Sequence, residues 1–232
     1  MENKNIVIGI EGLVGSGKTS ISKELLKYIP NSIILHGGNI YRAIVNGIIN
    51  SGTDLKLLTK KMKNIDITEI MKKLKLEIKL ENRETVMYMD GKKLNIEELQ
   101  SEKSSMAVSM ISNVADNTKL YEFGKLLIDS FRAKYNVILS SRDIVKMYPD
   151  VTYHFFIIAE LQERIRRKYI QYKGKISKKQ IEQTIRKRDE LQDDSGYYNI
   201  YDKTQVIDVT NCTSVEEATK KVLEYVKIEA LA

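Results

Sequence analysis

Eight residues near the start of the chain limit its fold more than anything else in it. Gly12-Leu13-Val14-Gly15-Ser16-Gly17-Lys18-Thr19 spells G-x-x-x-x-G-K-[ST]. Before it runs the β-branched segment Ile6, Val7, Ile8 and Ile10; after it, Ile21, Leu25, Leu26 and Tyr28 recur at helical spacing until Pro30. A glycine-rich turn between a buried strand and a helix aims successive backbone N–H groups at one point, and the helix N-terminus adds its dipole. The ligand that matches is a chain of phosphates. Lys18 would bridge the β- and γ-phosphates of a nucleoside triphosphate and Thr19 would hold Mg²⁺ through its hydroxyl. The expected nucleotide site is therefore Gly12, Gly15, Ser16, Gly17, Lys18, Thr19 and Ser20. A plain glycine turn with an exposed lysine would leave the rest of the octapeptide, and its strand–helix setting, without a reason.

The rest of the chain continues the alternation. Short apolar strands are expected at Ser32 to Leu35, Asn136 to Leu139, Thr152 to Ile158 and Gln205 to Val209, with helices between them. One helix should begin near Asn39 after the Gly37-Gly38 turn, and the last should run from about Ser214 to Glu229. Strands alternating with helices predict an α/β fold with a parallel sheet covered on both faces. One stretch departs from this. Leu74 to Leu80 and Val86 to Met89 alternate with period two around the polar tip Glu81-Asn82-Arg83-Glu84, the pattern of an antiparallel hairpin. It falls in a lysine-rich region, 54–103, that reads as an insert. A second basic stretch, Arg164 to Lys187, reads as two exposed helices around Lys173-Gly174-Lys175.

Charge and cysteine usage narrow the setting. Lys+Arg 38 against Asp+Glu 31 gives a net charge of +7, compatible with nucleic acid, an anionic membrane surface or a phosphorylated small substrate. The basic stretches lack the interleaved aromatics of a base-stacking surface, which argues against an obligate nucleic-acid partner. No segment approaches the length of a membrane span. Cys212 is the single cysteine, which suits a reducing compartment, and a cytoplasmic location is expected. No N-K-x-D tetrapeptide of the guanine-reading GTPases occurs. A short chain with this loop at its start suits a kinase of a small molecule, since mobile basic covers can exclude water from the transferred phosphate.

Further motifs carry a resemblance. Gly37-Gly38-Asn39-Ile40-Tyr41-Arg42, the hairpin ending Met89-Asp90-Gly91-Lys92, Ala107-Val108-Ser109, Ser141-Arg142-Asp143 and Arg164-Ile165-Arg166-Arg167-Lys168 occur in the order seen in bacterial cytidylate (CMP/dCMP) kinases. The chain resembles that family from about Ile6 to the C-terminal helix. The resemblance implies one P-loop nucleoside-monophosphate-kinase domain, with a core of 1–53 and 104–232, a monophosphate-binding insert of 54–103 and a lid at about 163–180. It implies ATP and Mg²⁺ as cofactors, nucleotides as the partners, and a monomer. It assigns the acceptor's α-phosphate to Arg42 and Arg142, the cytosine amino group to Asp143, the base to Ser109 and the sugar to Arg188. Guanidinium forks and a carboxylate suit those ligands chemically. Arg164, Arg167 and Lys168 follow the family's lid spacing. As a helix they would share a face, so three cations are expected to converge on the transferred phosphoryl group.

The chain also departs from the family pattern. Ser140 stands where the family carries a carboxylate near Mg²⁺, leaving Thr19, and Glu11 as a candidate, to the metal. Tyr121 replaces a base-contacting arginine, and Gln192 and Ser195 replace an aspartate and an arginine of the acceptor site. Asp193-Asp194 would place negative charge where a phosphate approaches, and Lys119 is a candidate to compensate. No general base is required, because the acceptor is already a phosphate anion; His36 and His154 are read as structural. Transfer from ATP to CMP or dCMP is the leading expectation. A kinase of the same fold with another small acceptor, and a nucleotide-binding regulatory or RNA-associated protein, are the alternatives.

Overall fold

The structure is a computed structural model and describes residues 5–50, 67–101, 104–105, 108–109 and 118–227. Its central element is an eight-stranded sheet of β1 (Val7–Gly12), β2 (Ser32–Leu35), β3 (Leu76–Glu81), β4 (Glu84–Met89), β5 (Lys92–Lys93), β6 (Asn136–Ser140), β7 (Tyr153–Ile158) and β8 (Thr204–Asp208). The spatial order is β3-β4-β2-β6-β1-β7-β8, with β5 added to β4. From β2 to β8 all pairs are parallel. Register follows the side-chain period of two, which sends neighbours in sequence to opposite faces. Ile33, Leu35, Val137 and Leu139 enter one core; Ile34 and Ile138 enter the other. Each fully buried side chain of this size contributes about 1.5–3 kcal/mol.

Helices cover both faces, as the alternating pattern predicts. α2 (Gly37–Asn50), α3 (Ile67–Lys73), α4 (Ile96–Leu99), α5 (Thr118–Arg132) and α6 (Ile144–Met147) contribute buried residues to the first core. α1 (Lys18–Leu25) and α9 (Val215–Leu223) close the second, through Ile21, Leu25, Ala218 and Val222. Among the described residues no helix is long and apolar enough to cross a membrane.

The basic hairpin α7 (Leu161–Gln171) and α8 (Lys178–Asp194) corrects one expectation. These helices are not simply exposed: Ile165, Ile181 and Ile185 are buried together with Val14 of the glycine-rich loop in a third, small core. Lys173 and Gly174, both at positive φ (54° and 71°), make the turn between them, and Ser177 opens α8 with a reciprocal capping box to Gln180.

The β-hairpin also attaches differently from a free insert. Asn82 and Arg83 (φ 48° and 67°) form the two-residue turn, and β4 pairs in parallel with β2 at Ile34 and Glu84. Arg83 fastens the join, donating from Nε to the Ser32 carbonyl (2.8 Å) and from Nη2 to Ser32 Oγ (2.7 Å). The first strand starts at Leu76 rather than Leu74, because Lys75 takes a left-handed turn (φ 48°) out of α3. Residues 54–66 and 102–103 of the expected insert lie outside the described residues, as does the end of the last helix beyond 227.

Candidate active site

The carboxyl ends of the parallel strands share one edge of the sheet, and the loops leaving them surround a cavity of about 670 Å³. The glycine-rich loop forms one wall. Gly12 must be glycine: it sits at φ 141°, and a Cβ there would lie 2.0 Å from the Ile157 carbonyl oxygen. Gly15 and Gly17 also take positive φ (80° and 104°), and Gly17 caps α1. Lys18 donates to the carbonyls of Gly12 (3.0 Å) and Leu13 (2.7 Å). Burial first, then the charges of Arg142, Arg188 and Lys168, hold its ammonium well below the usual lysine range, while Asp189 acts the other way. Ser16 Oγ is buried without a hydrogen-bond partner. A curled loop with an orphaned hydroxyl and a stressed ammonium fits a triphosphate. Thr19 and Ser20 are exposed at the start of α1.

The opposite wall comes from α2 and from the loop after β6. Gly37 and Gly38, expected as a turn, are the first two residues of α2, because the His36 carbonyl already accepts from the Asn39 and Ile40 amides (3.0 and 3.1 Å). A Cβ on Gly37 would meet Ser141 Oγ at 2.6 Å, so a glycine lets these two loops touch. The contact sets Arg42 and Arg142 on one block. Among the described residues Arg42 reaches only Asn39 Oδ1 (3.4 Å), and its buried Nε has no partner there. Burial, then Arg188 and Arg142, pull the Arg42 pKa down to about 9. Arg142 donates to Gln192 Oε1 (2.8 Å) and to the Ser141 carbonyl (3.3 Å). Arg188, pulled down to about 10 by burial and Arg142, approaches Ser109 Oγ at 3.5 Å. Lys168, lowered to about 8 by burial, then Arg188 and Arg42, donates to Gln171 Oε1 (2.9 Å).

Lys18, Arg42, Arg142, Lys168 and Arg188 thus line one cavity, and among the described residues each is held by neutral acceptors rather than by a carboxylate. Five cations gathered with no carboxylate in the cavity among the described residues, only Asp189 behind its wall, repel one another; anions are what such a site lacks.

The α7 cations separate instead of converging. Arg167 borders the cavity, donating to the carbonyls of Ser16 (2.9 Å) and Val209 (2.7 Å) and to Glu163 Oε1 (2.7 Å). Arg166, not singled out in the sequence, also borders it while gripping Glu163 with both Nε and Nη2 (2.6 and 2.7 Å). Arg164 does not border it. Its Nη1 pairs with Asp189 Oδ2 and donates to the Val14 carbonyl (3.2 Å). Helical spacing could not show this, because the partners come from the glycine-rich loop and from α8.

Asp143 does not border the cavity either; Tyr121 does. Asp143, at φ 52° and 5% exposed, accepts from the Tyr121 hydroxyl (2.6 Å), and burial raises its pKa despite that donor. Tyr121 is held protonated by burial and by its acidic neighbour. Ser109 is buried and donates to the Ser105 carbonyl (3.0 Å). Gln192 is buried at the cavity wall as Arg142's acceptor, whereas Asp193 and Asp194 point into solvent and put no charge into the site. Ser195 bonds back to the Leu191 carbonyl (2.6 Å), and Lys119 pairs with exposed Glu122 (2.8 Å).

Metal donors are sparse. Glu11 is 3% exposed and committed to the Ile144 amide, with His154 Nε2 at 3.3 Å. Ser140 supplies no carboxylate, and no cluster of three His, Cys, Asp or Glu side chains suited to a metal exists among the described residues. The donor set fits a divalent ion carried in by a nucleotide and touched by Thr19, not one bound by the protein alone. His154 bonds Thr204 Oγ1 (2.8 Å) inside the core; His36, paired with Glu84 Oε2 (2.7 Å), borders the cavity as well.

Comparison with known proteins agrees with this geometry. A family model described as cytidylate kinase matches residues 8–228. A cytidylate kinase of Caldanaerobacter subterraneus subsp. tengcongensis is 28% identical over 235 residues, covering 98% of this chain and 97% of that one. Another, from Caldicellulosiruptor saccharolyticus, is 30% identical over 227 residues and 95% of each chain.

Proposed function

The chain belongs to the cytidylate kinase family, and from that premise we propose that it transfers the γ-phosphoryl group of ATP to CMP or dCMP, as a monomer in the cytoplasm. The observation that carries the reading is the set of five cations without carboxylate partners around one cavity beside the glycine-rich loop. Two phosphorylated ligands meeting head to head would neutralise it. Arg42, Arg142 and Arg188 then hold the acceptor phosphate, and Lys18 with Arg167 and Lys168 offset charge on the group in transit. ATP with Mg²⁺ supplies the phosphoryl group. Because the acceptor oxygen is already anionic, these side chains need to align and neutralise rather than remove a proton. Residues about 163–180, most of α7 with the turn and the start of α8, act as the lid that keeps water out, and 54–103 as the part that helps hold the monophosphate.

A second acceptor is favoured by one observation: Asp143 is covered by Tyr121, so the base is read by a phenol where the family uses an arginine. A coupled assay of ADP release with a panel of nucleoside monophosphates, run beside Lys18→Ala, decides. Release dependent on CMP or dCMP supports the proposal. Release only with another acceptor replaces the substrate, and ATP binding without transfer to any acceptor turns the reading to a non-catalytic nucleotide-binding protein.

A further inference from the structure

Asp189 is a carboxylate set just behind the wall of this cationic site, and it does not face the cavity. Its Oδ1 accepts from the Val14 amide (3.3 Å) and from the Tyr198 hydroxyl (2.6 Å). Its Oδ2 takes Nη1 of Arg164, the guanidinium whose same nitrogen donates to the Val14 carbonyl. One carboxylate therefore joins the glycine-rich loop, α7, α8 and the segment after α8. Arg164 is 7% exposed, and its Nε is buried without a hydrogen-bond partner. A guanidinium so buried, with one carboxylate, has little reason to exist except to fix a geometry; replacing such a pair with apolar groups often costs no stability.

We infer that Asp189 and Arg164 form a positioning pair that sets α7 and α8 against the glycine-rich loop, so that Arg164 acts through Asp189 and not on the phosphates. Arg167 and Lys168 lie one turn after Arg164 on α7, and Arg167 reaches the Ser16 carbonyl of the same loop. Arg188 precedes Asp189 on α8 and faces the cavity. Val14, clasped at both its amide and its carbonyl, lies between Gly12 and Gly15, whose conformations shape the phosphate cradle. Losing Asp189 leaves Arg164 as a buried, unpaired charge, and losing either member frees α7 to drift. Conversely, Asp189 keeps an anion out of the cavity while still offsetting some of the repulsion that acts on Lys18.

The inference rests on the kinase reading for its catalytic half only, so the test has two readouts. The full chain is prepared as Asp189→Asn, Arg164→Met, the double variant and Tyr198→Phe. Affinity for a non-hydrolysable ATP analogue is measured by calorimetry, and kcat and KM by ADP release. Each single variant should weaken analogue binding about tenfold, the scale of a displaced charge-assisted contact, and lower kcat while the acceptor KM changes less. The double variant should be no worse than the poorer single one, because both remove the same clasp. Losses that multiply would mean that Arg164 acts on the phosphates directly, and would overturn the inference, as would analogue affinity and kcat at the wild-type level. If a charge variant fails to fold by circular dichroism, Tyr198→Phe, which keeps the ion pair, is read alone: an analogue Kd about threefold higher is expected, and a wild-type value overturns the inference. Should the wild type transfer phosphate to no acceptor, the function fails but the binding arm still reads the pair.

Discussion

The two halves of the cavity are built by different means. On the glycine-rich side the shape comes from the backbone: Gly12, Gly15 and Gly17 bend the chain, and one side chain, Lys18, bonds back across the loop. On the side of Arg42 and Arg142 the groups are side chains from separated segments, each held by a different neutral partner: Asn39, Gln192 and, for Arg188, Ser109. A backbone cradle needs its eight residues in a row, so it tolerates little change and announces itself in the sequence. A clamp of side chains can exchange members one at a time, as the resemblance implies at Tyr121, Gln192 and Ser195.

That contrast can be broken from either side. The largest effect is expected from Lys18→Ala, which should lower phosphoryl transfer by about a thousandfold, the upper range for one preorganised charge at a transition state, at an almost unchanged melting temperature. Arg142→Ala should raise the acceptor KM about ten- to a hundredfold, the worth of charge-assisted hydrogen bonds, and leave the KM for ATP within about twofold. Equal damage to both KM values would mean that the halves are not separate. The third test is pH. In the proposed reaction Lys168 acts as an ammonium, and it is lowered to about 8, so it loses its proton as pH rises through that value. kcat/KM should therefore fall above about pH 8, and Lys168→Arg should move the fall to higher pH, since a guanidinium stays charged. A profile with no alkaline limb, or one that Lys168→Arg does not shift, would remove Lys168 from the reaction. The smallest effect belongs to Tyr121→Phe. Loss of its hydrogen bond to the Asp143 carboxylate, about 1.5 kcal/mol, should change the ratio of kcat/KM for CMP over UMP by about tenfold.

What could be read in advance follows the same division. Strand positions were legible because a parallel strand buried on both faces leaves a short unbroken apolar run, as at Ser32–Leu35 and Asn136–Ser140. The hairpin tip was legible because two successive left-handed residues need a polar turn, met here by Asn82 and Arg83. Arg164 was misplaced because helical spacing fixes which residues share a face but not what lies opposite; its partners Val14 and Asp189 are 150 and 25 residues away. Asp143 was set facing the base because nothing local shows that Tyr121, 22 residues earlier, covers it. The sequence places the charge of Asp193 and Asp194 near the acceptor, yet α8 turns its Gln192 inward and leaves them in water.

Val14 belongs to the glycine-rich loop by sequence but to the core of α7 and α8 by packing. If those helices swing away to admit a nucleotide, Val14 and the isoleucines it touches, Ile165, Ile181 and Ile185, become wet. Opening would then carry a positive heat capacity, as partial unfolding does, and its enthalpy would climb with temperature. A turnover step limited by that motion should give a curved Arrhenius plot, with the curvature reduced in Val14→Ala, where less apolar surface is uncovered.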